Sequence, residues 1–74
     1  MNQIIYTYHL ANTAIQCFHD EKLKRINERF KQNLGIQNTN VYYLYNGIKV
    51  NEELTFNEIS GGNQTININL IFIL

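Results

Sequence analysis

The chain has 74 residues, six basic and six acidic side chains, and a single cysteine. This length predicts one small domain, spanning 1–74, that buries only about 60% of the surface of its unfolded chain. One cysteine excludes an intrachain disulfide, and the net charge of zero lacks the basic excess typical of nucleic-acid binding. No apolar run approaches the roughly 20 residues of a membrane-spanning helix, and residues 1–3 lack the basic start of a signal peptide. We therefore expect an intracellular, cytoplasmic protein that binds neither nucleic acid nor membranes.

The first third of the chain predicts a β-hairpin. Residues 4–8 are rich in β-branched and aromatic side chains and form the first strand. We expect Ile4 and Tyr6 to face inward, because the opposite phase, with Ile5 inward, buries polar neighbours. A turn at 10–12 leads to a second strand at 13–18. The inward residues of that strand are predicted to be Thr13, Ile15 and Cys17.

An amphipathic helix is predicted at 21–33. Asp20 is placed to cap its first turn, and Glu21 and Arg25 have the i, i+4 spacing of a favourable ion pair. Gly35 follows as a left-handed C-terminal cap. The apolar residues that share one face of this helix are Leu23, Ile26, Phe30 and Leu34.

The second half of the chain predicts three more strands. Val41–Tyr45 is followed by the tight-turn pair Asn46 and Gly47 and by a short strand at 48–50. Residues 54–59 predict one helical turn, and 65–70 alternates as the last strand. In Val41–Tyr45, alternation leaves Tyr42 and Leu44 on the face away from the helix. The inward residues of the last strand are Ile66, Ile68 and Leu70.

The element order is β-β-α-β-β-β, an α+β arrangement in which one helix covers one face of a mixed sheet. The order and spacing of three short motifs resemble ubiquitin and its relatives. These motifs are Gly35-Ile36, Leu44-Tyr45-Asn46-Gly47 and Leu54-Thr55-Phe56. The resemblance implies a β-grasp (ubiquitin-like) roll that binds other proteins and does not catalyse a reaction.

Departures from that family limit what the resemblance implies. Conjugated members end in Gly-Gly, whereas this chain ends in five apolar residues, 70–74. The family's apolar recognition patch corresponds to Leu44, to a first-strand position near His9 and to Asn69, so two of its three anchors are polar. Ile48 occupies the position of the principal chain-linking lysine. We therefore expect weak or no binding to ordinary ubiquitin receptors.

Catalytic and metal chemistry is not expected. Cys17 and His19 are close enough in sequence to suggest a nucleophile and its base, but Cys17 belongs to the inward series and is expected to be buried and protonated. His9 and His19 lack the further ligands that a metal site requires. No cofactor and no small-molecule substrate are predicted.

The sequence thus predicts a non-catalytic protein-protein interaction module, an adaptor or a structural subunit of a larger assembly. Two alternatives remain: a domain excised from a longer multidomain protein, and a conjugated modifier. The predicted contact surface is the open sheet face together with the apolar C-terminus. Its residues are Leu44, Tyr42, His9, Asn69, Ile48, Ile71, Phe72, Ile73 and Leu74.

Overall fold

The elements follow one another in the predicted order in the computed structural model, which describes residues 1–37 and 40–73. Within these residues the elements are β1 (Asn2–Tyr8), β2 (Ala11–Cys17), α1 (Leu23–Leu34), β3 (Val41–Tyr45), β4 (Ile48–Lys49), α2 (Phe56–Ser60) and β5 (Thr65–Phe72). No helix in this part of the chain is both long and apolar enough to cross a bilayer.

The five strands form one mixed sheet in the order β2-β1-β5-β3-β4. β1 is antiparallel to β2 and parallel to β5, and β3 is antiparallel to both β5 and β4. The predicted phase of β1 is confirmed, because Ile4 and Tyr6 are fully buried. Ile4 lies between Ile15 and Ile66 in the ladder, so three β-branched side chains line up at the centre of the core face.

Helix α1 packs across this face. Its buried residues are Leu23, Ile26, Asn27 and Phe30, and the Phe30 ring stacks on Tyr6 with ring centroids 4.1 Å apart. Leu34 was predicted to be inward, and this is wrong: it is 42% exposed. The helix ends at Leu34, and the chain reverses through Gly35 at φ 67°. Ile36 N–H then bonds the carbonyl of residue 31, and its side chain packs against the core in place of Leu34.

The start of α1 differs from the prediction. Asp20 is not the cap, because the N-cap residue is Lys22 and its side chain makes no capping bond. Backbone carbonyls from a distant loop accept the first helical amides instead, which removes the need for a side-chain cap. Leu23 N–H donates to the Leu54 carbonyl at 2.8 Å, and Lys24 N–H donates to the Glu52 carbonyl at 3.0 Å.

Amides of the 52–57 segment in turn donate to carbonyls that precede α1. We call the set of backbone hydrogen bonds between 19–24 and 52–57 the backbone clamp. Phe56 N–H donates to the Glu21 carbonyl at 2.9 Å, and Asn57 N–H donates to the His19 carbonyl at 2.8 Å. The first amides of α2 are therefore satisfied by the segment that precedes α1. Thr55 completes the start of α2, because its hydroxyl accepts from the Glu58 amide in a capping box.

Glu21 pairs with Arg29, not with Arg25 as predicted. Glu21 lies before the first helical residue, so the i, i+4 geometry is not formed, and its carboxylate reaches two turns along α1. It accepts two bonds from the Arg29 guanidinium and one from the Phe18 amide at 3.2 Å. The hydrogen bonds from Arg29 are the main reason why the pKa of the Glu21 carboxyl lies below its usual value.

This pair predicts a pH-dependent stability. A carboxyl with a depressed folded-state pKa stabilises the fold above its unfolded pKa of about 4.3 and loses that contribution as the pH falls. Glu21→Gln is expected to cost about 1–2 kcal/mol at pH 7, the low end for charged hydrogen bonds because Arg29 is partly exposed. The difference in stability between wild type and Glu21→Gln should shrink as the pH falls below about 4.3, the unfolded pKa. Urea unfolding at pH 7, 5 and 3 measures it, with Glu28→Gln as control. A difference that is constant with pH would contradict the assignment.

Two buried tyrosines differ in how their hydroxyls are satisfied. Tyr6 Oη donates to Asn27 Oδ1, and Asn27 Nδ2 donates to Glu52 Oε2 at 3.0 Å. Tyr43 Oη is buried and has no hydrogen-bond partner among the described residues. Burial is the main cause that raises the pKa of both phenols, so both stay protonated.

The two phenols therefore predict opposite effects of the same substitution. Tyr6→Phe leaves Asn27 Oδ1 without its donor and should cost about 1–3 kcal/mol. Tyr43→Phe removes an unpaired buried hydroxyl and should be neutral or slightly stabilising. Thermal and urea unfolding of the two variants, each against wild type, gives the comparison. Equal destabilisation by both would show that Tyr43 Oη has a partner.

Candidate protein-binding face

The sheet face opposite α1 is uncovered and divides into a polar half and an apolar half. The polar half lies on β2, β1 and the first part of β5. There Thr7 Oγ1 donates to Asn12 Oδ1 at 2.9 Å, and Asn67 Nδ2 donates to Thr7 Oγ1 at 3.1 Å. These side chains bond one another across three strands, so the polar half is largely satisfied by itself.

The apolar half lies where β3 meets the end of β5. Leu44 is opposite Asn69 in the ladder, and Tyr42 is opposite Ile71. Leu44, Tyr42 and Ile71 are half-buried. On the outer side, Leu44 is opposite Lys49 of β4, whose ammonium lies 6.0 Å from the centre of the Tyr42 ring. Tyr42, Leu44 and Ile71 thus form a continuous apolar strip.

A groove of about 500 Å³ runs beside this strip, and we call it the sheet groove. It is lined by Thr7, Tyr8, His9, Leu44, Asn69, Leu70, Ile71 and Phe72. Five of the predicted contact residues therefore come together here, from three parts of the chain that are distant in sequence: His9, Leu44, Asn69, Ile71 and Phe72. The groove combines apolar walls with few polar groups, which is typical of binding sites.

His9 is held at the end of the groove by aromatic packing. Its backbone is left-handed, with φ 54°, a conformation that His adopts more readily than most residues. The His9 ring lies 4.2 Å from Tyr8 and 6.4 Å from Phe72, measured between centroids, and Tyr8 lies 4.9 Å from Phe72. The Phe72 side chain packs against the edge of the core.

The remaining predicted residues lie elsewhere. Ile48 is opposite Tyr45 in the ladder, so alternation turns it away from the face that Leu44 occupies. It is 72% exposed and lines a separate groove with Leu54 and Ile59. Ile73 is exposed just beyond β5, and its amide donates to the carbonyl of residue 40 at 2.8 Å. Leu74 lies outside the described residues.

Leu10 is an apolar residue near this face that the sequence prediction missed. The first turn was predicted at 10–12, but β2 already begins at Ala11, so the tip of the hairpin is His9 and Leu10. Leu10 is fully exposed beside His9. An apolar residue in a turn is itself a signal, because it contributes nothing to the core and remains available to a partner.

Cys17, the candidate nucleophile, is surrounded by core residues. Cys17 is buried in the core, and burial is the main cause that raises the pKa of its thiol to about 11. The thiol is therefore protonated at neutral pH and packs as a small apolar group. Across residues 1–37 and 40–73, no three His, Cys, Asp or Glu side chains are grouped so that they could hold a metal ion.

Comparison with known proteins identifies the fold. No family model and no curated protein matches the chain. Among solved structures it is similar to a chain of the crystal structure of ATBAG1 in complex with HSP70, with a TM-score of 0.81 at 14% sequence identity. The match covers 97% of this chain and 40% of that one, so this chain spans less than half the length of its neighbour. The likeness confirms the ubiquitin-like β-grasp fold that the sequence resemblance implied.

Asn69 is the polar residue in the centre of the sheet groove, and its replacement changes the stability of the fold in a predictable direction. Asn69→Val should stabilise the fold by about 0.2–1 kcal/mol, because valine favours strands and gains a cross-strand contact with Leu44. Asn67→Val, on the same strand and face, should gain less, because it loses the bond from Asn67 to Thr7. Urea unfolding of both variants measures the difference. A loss of stability in Asn69→Val would mean that Asn69 has a structural role.

Proposed function

We propose that the chain is a non-catalytic protein-protein interaction module, an adaptor or structural subunit of a larger assembly. Its contact surface is the apolar strip with the sheet groove and the hairpin tip. The residues that we assign to this surface are Leu44, Tyr42, Ile71, Phe72, His9, Asn69 and Leu10. We further propose that it works inside the cell, in the cytoplasm.

One observation carries the proposal: the apolar half of the open face has no α-helix or loop over it among the described residues. Tyr42, Leu44 and Ile71 stand side by side on neighbouring strands, and a groove of about 500 Å³ lies next to them. Aromatic and aliphatic anchors in a pocket give most of the energy of an interface. The fold neighbour was crystallised in a complex with another protein, which is consistent with a fold used for protein binding.

The internal pair Gly61 and Gly62 is not suited to be the end of a conjugated modifier. Gly61 and Gly62 lie between α2 and β5, at φ 61° and 92°. Cleavage after Gly62 would remove β5, which is hydrogen-bonded to both β1 and β3. The sheet would then lose the strand that joins its two halves, so a mature form ending at this glycine pair would not keep the fold.

The proposal predicts that charge on the apolar strip abolishes partner binding while the fold is kept. Leu44→Glu and Ile71→Glu should each weaken binding about thirtyfold or more, the effect of losing a central anchor of about 2 kcal/mol. Affinity purification from the native source, followed by quantitative mass spectrometry, identifies partners whose recovery depends on Leu44. Titration calorimetry with the purified partner then gives the affinities.

Leu34→Glu is the control, because Leu34 is an exposed leucine on α1, which packs on the other face of the sheet. Circular dichroism and thermal unfolding establish that all three variants are folded. Recovery of the same partners at the same level by wild type, Leu44→Glu and Ile71→Glu would refute the assignment of this face.

A further inference from the structure

The turn between β3 and β4 contains a pair of residues that can react with each other. Asn46 and Gly47 lie between Tyr45 and Ile48, which pair with each other in the ladder. Asn46 is the one asparagine of the chain that is followed by a glycine. Because glycine has no side chain, its backbone nitrogen is sterically free to attack the side-chain carbonyl carbon of the preceding asparagine. Asn-Gly is therefore a sequence in which a side-chain amide is lost without an enzyme.

The two reacting groups are accessible to solvent. Asn46 and Gly47 are exposed, and in the part of the chain that the structure describes the Asn46 side chain makes no hydrogen bond. The Gly47 amide likewise donates to no carbonyl of the described residues. A methyl group added at the Gly47 Cα would meet no atom within 4 Å. Hydroxide and water can therefore reach both groups in the folded domain.

The backbone of this turn is left-handed at both residues, with φ 52° at Asn46 and φ 77° at Gly47. These angles are typical of a type I′ turn, in which Asn-Gly is a favoured pair. Ring closure needs a rotation about the Cα–C bond of Asn46 that brings the Gly47 nitrogen toward the side chain. The paired turn opposes this rotation, so the reaction requires the end of the hairpin to open.

Few contacts keep this end of the hairpin closed. The strand β4 has two residues, Ile48 and Lys49, and both are exposed. It lies at the edge of the sheet and pairs with β3 alone. On this side of the turn, buried contacts begin at Val50, whose amide donates to the Tyr43 carbonyl at 2.8 Å. Exposed segments with few buried contacts open at lower free energy than the core, so the turn can open while the rest of the fold persists.

We propose that Asn46 is a site of spontaneous deamidation, which proceeds through opening of the turn between β3 and β4. The Gly47 nitrogen gives its proton to hydroxide and forms a bond to Cγ of Asn46. The bond from Cγ to the side-chain nitrogen breaks, and this nitrogen leaves as ammonia with a proton from water. Water then opens the cyclic imide, at the backbone carbonyl to give isoaspartate or at the side-chain carbonyl to give aspartate. The net reaction consumes water and releases ammonia, with no oxidant or cofactor.

The isoaspartate product changes the hairpin more than the aspartate product does. In isoaspartate the main chain runs through the side-chain carbon and gains a backbone atom, so the two-residue turn no longer joins Tyr45 and Ile48 in register. Both products add a negative charge near Lys49, which lines the same groove as Asn46. The Lys49 ammonium lies 6.0 Å from the centre of the Tyr42 ring, so the modification reaches a neighbour of the apolar strip. The reaction itself does not depend on the binding role of that strip.

The test incubates the full chain at 37 °C and pH 8 and follows it by peptide-mapping mass spectrometry. The peptide that contains residue 46 should gain the mass that separates a carboxyl from an amide, and electron-transfer fragmentation should detect isoaspartate there. The rate should rise in proportion to the hydroxide concentration between pH 7 and 9. Asn46→Gly keeps the turn, because glycine accepts a positive φ, and its peptide should not gain this mass. Exposed Asn63, which precedes a glutamine, is the internal control and should react at least tenfold more slowly. No gain at residue 46, or equal rates at Asn46 and Asn63, would overturn the proposal.

A second comparison tests whether the hairpin end opens by itself. Ile48→Gly removes an exposed β-branched residue from β4 and should raise the rate in the folded domain at least threefold. Glu21→Gln lowers the stability of the whole fold from a position outside the hairpin and should leave the rate within twofold of wild type. Each rate is divided by the rate of the same variant in 6 M guanidinium chloride, which removes effects on the chemistry itself. A faster reaction in Glu21→Gln together with an unchanged rate in Ile48→Gly would mean that the reaction needs global unfolding, and the proposal would be wrong.

Discussion

The backbone clamp between 19–24 and 52–57 is the constraint on which the rest of the domain depends. Four amide–carbonyl bonds, two in each direction, join the segment before α1 to the segment before α2. They satisfy helix-start amides that would otherwise need side chains or water, and they fix where α1 begins. Because the clamp fixes the start of the helix, it helps to place Asn27 and Phe30 over Tyr6 of β1. The Glu52 carboxylate, which accepts from Asn27, ties the same loop into the core.

The position of α1 also determines which surfaces are left for partners. One helix covers one face of a five-stranded sheet, so the other face stays open, and its apolar part is confined to the side of β3 and the end of β5. Arg29 of the helix reaches the β2 edge and donates a hydrogen bond to the Gln16 carbonyl. The open face offers apolar anchors, whereas the edge of β2 offers backbone groups beside both acidic and basic side chains.

Much of the fold was predictable because it is local. Alternation in 65–70 predicted the last strand and its inward residues, and the Asn46-Gly47 turn predicted the hairpin of β3 and β4. Ile48 was nevertheless predicted to share the contact surface with Leu44, although its pairing with Tyr45 turns it away. The predictions that Asp20 caps α1 and that Glu21 pairs with Arg25 were wrong for one reason. Carbonyls about 30 residues away in sequence accept the first amides of α1, and the periodicity of the sequence does not show such distant contacts. The shape of the sheet groove depends on which strands are neighbours, so the sequence predicted five of its lining residues but not the groove itself.

The central seam of the sheet joins the first and last strands in chain order. β1 and β5 run in parallel, and Gln3 faces Thr65, 62 positions away. The β1–β2 hairpin is the early, local product of synthesis, but its apolar side has neither α1 nor β5 to cover it. Contacts of such sequence separation slow folding, and a growing chain cannot form this seam until β5 has left the ribosome. The domain is therefore expected to acquire its fold in one late, cooperative step, with the uncovered hairpin as the species that chaperones meet first.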